Sequence, residues 1–262
     1  FIVRGSRLRW RAMDFLVSSC VLAAFWLGVW YCGACITTRC SPFWNRSKVE
    51  MENSPYWGAA CIMSTVNACI SAFICVPAVT VMFFRPRDDW FYSPRNFDDC
   101  YDEVGGILPA LLALVGQSFT IRTLLDLVLQ FFHGVLTVEE AIHHTIFIMA
   151  GSLIRGNCMM PFNAGILMSM EASTPFLNYY LYFRSRYPYG ADVNAAKTVF
   201  GILFFIFRVI WNTYGAVIFL QEQYLGVGVP PMPAEVPSWQ QTLMVLTISA
   251  SAGLQLFWFA NI

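Results

Sequence analysis

The chain has 262 residues, 57% of them hydrophobic and 12% charged, with a mean hydropathy of +0.55 and a formal net charge of zero. Soluble globular domains carry about 25% charged residues, so this composition excludes an ordinary soluble domain and describes an integral, multi-pass membrane protein. Zero net charge argues against nucleic acid as a partner, and continuous rather than alternating apolar runs exclude a transmembrane barrel.

The chain begins at Phe1 rather than Met, which reads as a processed product or as part of a longer one. Residues 1–12 form a basic arm with Arg4, Arg7, Arg9 and Arg11 and no acid. The first span is expected over about 13–36, with its positive end facing the cytoplasm or an organelle matrix. A polar connector with Pro42 and Pro55 leads to Tyr56 and Trp57, amphipathic aromatics of the kind that settle at a membrane interface. The second span, about 57–84, carries Ser64, Thr65, Asn67 and Ser71, small polar residues suited to close helix packing, and Pro77 inside it.

Residues 85–105 are a charged, net acidic connector. Asp98, Asp99 and Asp102 lie there, but without the glycine and terminal Glu of a calcium loop, so no metal site is expected. The third span, about 106–133, has Arg122 and Asp126 four residues apart, the spacing of an ion pair on one helix face. In a membrane a paired charge costs less than a lone one, and both a structural and a site role are open for this pair. His133 closes that helix, where a cation suits the C-terminal dipole.

Thr137 and Glu140 form a capping-box pattern and start a fourth span over about 138–155. His143 and His144 lie one to two turns inside it, near a membrane face. Adjacent helical residues point about 100° apart, so the two imidazoles need further partners to serve one small site. The fifth span, about 159–183, holds Glu171 deep in an apolar run. Four residues later Pro175 removes a backbone donor and predicts a kink, with Ser173 and Thr174 placed to satisfy freed carbonyls. A basic aromatic turn at 184–196 precedes a sixth span at about 197–224. Arg208 sits near its middle and needs an acid, Glu171 or Asp126. The proline-rich connector 226–239 cannot be helical and leads to a seventh span at about 240–261. The expected fold class is therefore all-α: one polytopic transmembrane helical bundle of about seven spans over 13–262, without internal repeats.

Nine cysteines are present, mostly inside apolar runs where Cys acts as a small hydrophobe. The Cys32–Cys35 spacing has no second pair, and no basis exists for a disulfide between the loop residues Cys40 and Cys100.

Several of these residues together resemble the TLC domain family, which includes the ceramide synthases. The resemblance covers about 50–262 and is nearest to the small, non-synthase branch. It rests on Trp57 with Ser64-Thr65-Val66-Asn67-Ala68, on the His143-His144 pair followed by Gly151, and on Glu171-Ala172-Ser173-Thr174-Pro175-Phe176-Leu177-Asn178. Phe204 to Arg208 and Leu256 to Phe259 resemble the last two helices of the family. Asn67 stands where the family tends to have His. The synthases' His-Asp motif after the His pair is missing, since that region reads Leu167-Met168-Ser169-Met170.

The resemblance implies a membrane protein that binds or handles lipid without ceramide synthase activity. Its polar pocket would be formed by Arg122, Asp126, His143, His144, Glu171, Asn178 and Arg208, between spans three to six. Were it catalytic, His143 or His144 would act as general base in an acyl transfer, oriented by Glu171 or Asp126. A bound phospholipid or sphingolipid is expected and no cofactor. The alternative is a non-catalytic subunit of a larger organellar complex, such as a respiratory one, reusing the bundle as a lipid-binding scaffold. The membrane would be an endomembrane, or the mitochondrial inner membrane in the second case. A transporter is less well supported, because no matched pair of broken helices is evident; haem or chlorophyll ligation by the histidines is a weaker option again.

Overall fold

The computed structural model describes residues 2–39, 55–84, 107–157, 160–184, 190–225 and 237–260, and every element among them is helical. The elements are α1 (Ile2–Arg39), α2 (Pro55–Phe83), α3 (Ile107–Phe132), α4 (Val138–Asn157), α5 (Pro161–Ser169), α6 (Thr174–Phe183), α7 (Ala191–Leu203), α8 (Asn212–Leu225) and α9 (Ser238–Phe259). A 3₁₀ turn, Met170–Ser173, joins α5 to α6, and a π-helical segment, Phe204–Trp211, joins α7 to α8. The described residues thus form seven helical rods. Five are long and apolar enough to cross a membrane: Phe15–Thr38, Tyr56–Phe83, Leu111–Phe132, Ala191–Gln221 and Ser238–Phe259. The acidic Asp98–Asp102 loop, Cys40, Cys100 and Cys158, and the arginine side chains of the N-terminal arm lie outside the described residues.

Local chemistry sets the helix starts. Glu140 Oε2 accepts from the Thr137 backbone N–H at 3.2 Å and from its hydroxyl at 2.9 Å, while the Glu140 N–H donates back to Thr137 Oγ1. This reciprocal capping box fixes the start of α4. Pro161 occupies the first turn of α5, where a missing N–H costs nothing. The sixth rod begins at Ala191, six residues before the expected 197. Gly190 supplies the extended N-cap and Asp192 places a carboxylate in the first turn, where the helix dipole favours it. The first helix likewise extends back from the expected 13 to Ile2.

Within lipid, helices gain little by hiding apolar surface from one another, so close packing and hydrogen bonds hold the bundle. The α5 rod is its axis: residues 162–170 are all buried. It packs against α2, α3 and α8, around Cys75, Val79, Leu112, Phe162, Ile166, Phe219 and Met244. Gly165 is needed there, because a Cβ at that position would run into Val79 and Leu112 from two different helices. By contrast α1 leans on α2 and α3 and leaves Leu16, Val17, Val21 and Tyr31 exposed. Its inner face is tied to α3 by Gln117, which donates to the Ser18 and Ser19 hydroxyls at 2.9 Å, and by Trp26, which donates to Ser118.

Candidate functional site

A cavity of about 400 Å³ lies among α2, α3, α4, the broken α5–α6 rod, the π segment and the end of α9. All seven residues expected to form a polar pocket line it: Arg122, Asp126, His143, His144, Glu171, Asn178 and Arg208. Two ionic clusters, from different helices, make up the polar wall.

The first centres on Asp126, which is 5% exposed. Its Oδ1 accepts from the Tyr56 hydroxyl at 2.9 Å. Its Oδ2 accepts from Arg122 Nη2 at 3.3 Å and from Gln130 Nε2 at 3.3 Å, and faces His144 Nε2 at 3.1 Å. Arg122, Asp126 and Gln130 are spaced four residues apart along α3, so one helix face presents all three. His144 Nδ1 lies 2.8 Å from the Glu140 carbonyl oxygen. A carbonyl only accepts, so Nδ1 carries a hydrogen, and the contact with Asp126 needs a second proton between Nε2 and Oδ2. Both imidazole nitrogens of His144 are therefore engaged with the protein's own groups.

His143 differs. Its ring stands at an angle to His144 at 5.7 Å and packs on Phe147 at 4.7 Å and Trp258 at 5.5 Å. Its buried Nδ1 has no hydrogen-bond partner. The hundred-degree offset along α4 thus sends one histidine to Asp126 and the other to an aromatic wall, yet both border the same cavity.

The second cluster sits where two helices depart from α geometry. Pro175 has no N–H, and the preceding turn tightens to 3₁₀, with the Thr174 N–H donating to the Glu171 carbonyl. Ser173 Oγ donates to the Met170 carbonyl at 3.1 Å. Arg208, in the π segment opposite, donates from Nε to the Met170 carbonyl at 3.2 Å and to Ser173 Oγ at 2.9 Å, and from Nη2 to Thr174 Oγ1 at 2.8 Å. Glu171 Oε1 is 3.9 Å from Arg208 Nη2. Glu171, rather than Asp126, is the acid paired with Arg208. The two helices are broken side by side: the 3₁₀ turn falls where a kink is expected before Pro175, whereas the π segment interrupts a span expected to be regular.

Beside this cavity lies a second, apolar one of about 310 Å³, lined by Ile36, Ile62, Val66, Tyr179, Tyr182 and Phe183 among others. Cys61 and Asn178 border both cavities. Asn178 Nδ2 donates to Thr65 Oγ1 at 3.0 Å and to the Cys61 carbonyl at 3.3 Å, so its side chain ties α6 to α2 where the two spaces meet.

Gln130, Tyr56 and Trp258 are among the wall residues outside the expected set. Gln130 continues the Arg122–Asp126 stripe by one turn, a signal present in the sequence. Tyr56 and Trp258 have no such local signal, since each looks like an ordinary interface aromatic. His133 rests its ring on Tyr56 at 4.9 Å and takes no part in the cavity. Among the described residues no group of His, Cys, Asp or Glu could hold a metal ion.

The family model that matches the chain is that of the TLC domain, over residues 16–262. No curated protein and no solved structure matches it.

Proposed function

The chain belongs to the TLC domain family, and from that premise we propose that it binds one amphipathic lipid, its headgroup in the polar cavity and a chain in the apolar one. The observation that carries this reading is the shared border at Cys61 and Asn178, which puts a cavity of about 400 Å³ with one ionic wall next to an apolar cavity of about 310 Å³. Binding sites of this size are ordinary for small ligands, and an ionic wall beside a greasy space suits a molecule with a headgroup and a chain.

Charge narrows the class of headgroup. Arg122, Arg208 and the proton held between His144 and Asp126 face the carboxylates of Asp126, Glu171 and Glu140 in the cavity wall, three against three. Each guanidinium already has a carboxylate partner. A charged ligand would enter without a counter-charge, which a low-dielectric site penalises heavily. Unspent hydrogen-bonding capacity remains on Thr123 Oγ1, Gln130 Oε1, Arg122 Nε and His143 Nδ1, a mixture of donors and acceptors. A headgroup without net charge, able to donate and accept, suits that mixture.

Binding is favoured over acyl transfer. A general base needs a nitrogen free to face the substrate, and His144 has none. His143 has a free nitrogen but no carboxylate to orient it. The test is mass spectrometry of the intact chain released from mild detergent. One retained lipid per chain, exchangeable for net-neutral lipids and not for anionic ones, is the expected result. A chain that flies bare, or that keeps anionic lipid only, would overturn the proposal.

A further inference from the structure

Buried polar atoms outside the cavity point to a second occupied site. Gln255 is 1% exposed, and neither its amide oxygen nor its amide nitrogen has a partner. Ser251, one turn earlier on the same buried face of α9, has an unpartnered hydroxyl, and Asn212 at the start of α8 has an unpartnered Nδ2. Both are at least nine-tenths buried. The helices that carry them are packed together. Phe205 meets Phe259, the last residue of α9, ring to ring at 5.3 Å, and because α8 beyond Phe205 also packs on α9, the two rods run in opposite directions. Counting back from that contact brings Asn212 level with residues 251–255. That count places the three side chains at about one height of this helix pair.

That height is one turn beyond the lipid cavity. Arg208 and Trp258 line the cavity. Asn212 follows Arg208 by four residues, and Gln255 precedes Trp258 by three, so each lies on its partner's helix face. The π segment ends at the same place, with the Asn212 N–H turned back to the Val209 carbonyl. π-helical turns recur at functional sites.

We infer that Asn212, Ser251 and Gln255 bind a small cluster of water molecules, which forms a hydrated floor beneath the polar cavity. Donors and acceptors left unmade in a membrane interior are costly, and here they alternate over a short span. Water satisfies both kinds at once and needs two to four polar partners, which these side chains provide. A cation is a poorer fit, because no carboxylate belongs to the group. The assignment does not depend on the lipid reading: waters can occupy the floor whether or not a lipid occupies the cavity above.

Two measurements on the intact chain in lipid nanodiscs test it. A density map fine enough to place solvent is expected to have peaks within hydrogen-bond distance of Gln255 Oε1 or Nε2 and of Ser251 Oγ. Direct hydrogen bonding of the Gln255 amide to Asn212, with no solvent peak, would overturn the assignment. The thermal midpoint separates the same alternatives. Gln255→Leu is expected to lower it, because the waters lose a partner while Ser251 and Asn212 stay buried. A raised midpoint would mean a dry site whose unmet amide was simply removed.

Discussion

Asp126 accepts from Tyr56, Arg122 and Gln130 and shares a proton with His144, so three helices converge on one carboxylate. The single contacts are not equivalent. Replacing Asp126 by Asn leaves the buried Arg122 without its counter-charge, a change that costs about 3–5 kcal/mol. Tyr56→Phe removes one hydrogen bond to a charged group, worth about 1.5–3 kcal/mol in water-soluble proteins and nearer 0.6 kcal/mol in membranes. Unfolding in one detergent should therefore rank Asp126→Asn well below Tyr56→Phe, and equal losses would contradict the convergence. Glu171→Gln should similarly lower thermal stability more than Glu139→Gln, since Glu171 faces Arg208 in the cavity while Glu139 is exposed at the start of α4. The Arg122–Asp126 pair and the need of Arg208 for an acid are both readable from spacing and from the cost of charge in hydrocarbon. Which acid goes to which arginine is not, because that depends on how the rods tilt.

Pro175 and Arg208 act on each other's helices. The proline removes a donor from α6, the turn before it tightens, and Arg208 crosses from the π segment to bond the Met170 carbonyl and two hydroxyls. Arg208→Lys keeps the charge but loses the planar fork that serves three acceptors. It is expected to destabilise by roughly 1–3 kcal/mol, the usual effect of stranding a buried acceptor. Unchanged stability would mean that the arginine acts only as a charge. Gly165 governs the other side of the same rod. Gly165→Val must displace Val79 and Leu112 and should cost about 1–3 kcal/mol by overpacking; the midpoint of thermal unfolding checks this too. The kink at Pro175 is legible in the sequence, because proline's missing N–H acts locally. The π segment is not, because Phe204 to Trp211 is apolar apart from Arg208 and carries no proline or glycine, and its irregularity coincides with the docking of Arg208.

The seven helical rods among the described residues follow from long apolar runs, and the family that the resemblance named is the one whose model matches residues 16–262. The apolar cavity beside Asn178 has no counterpart in the sequence pattern, since it arises from how α1, α2 and α6 leave space between them. Asn178 borders both spaces and holds α6 to α2. Asn178→Leu should leave the bundle folded while weakening retention of a bound lipid, read as loss of the lipid-bearing species in intact-mass spectra; retention equal to the unaltered chain would separate Asn178 from the site. The most direct measurement is a density map of the chain in native membrane lipid. The account predicts one elongated feature with its polar end among Arg122, His143, Glu171 and Arg208, and its tail past Asn178 between Ile62, Val66 and Tyr182. Side chains collapsed into that space, or density confined to the outer surface of the helices, would contradict it.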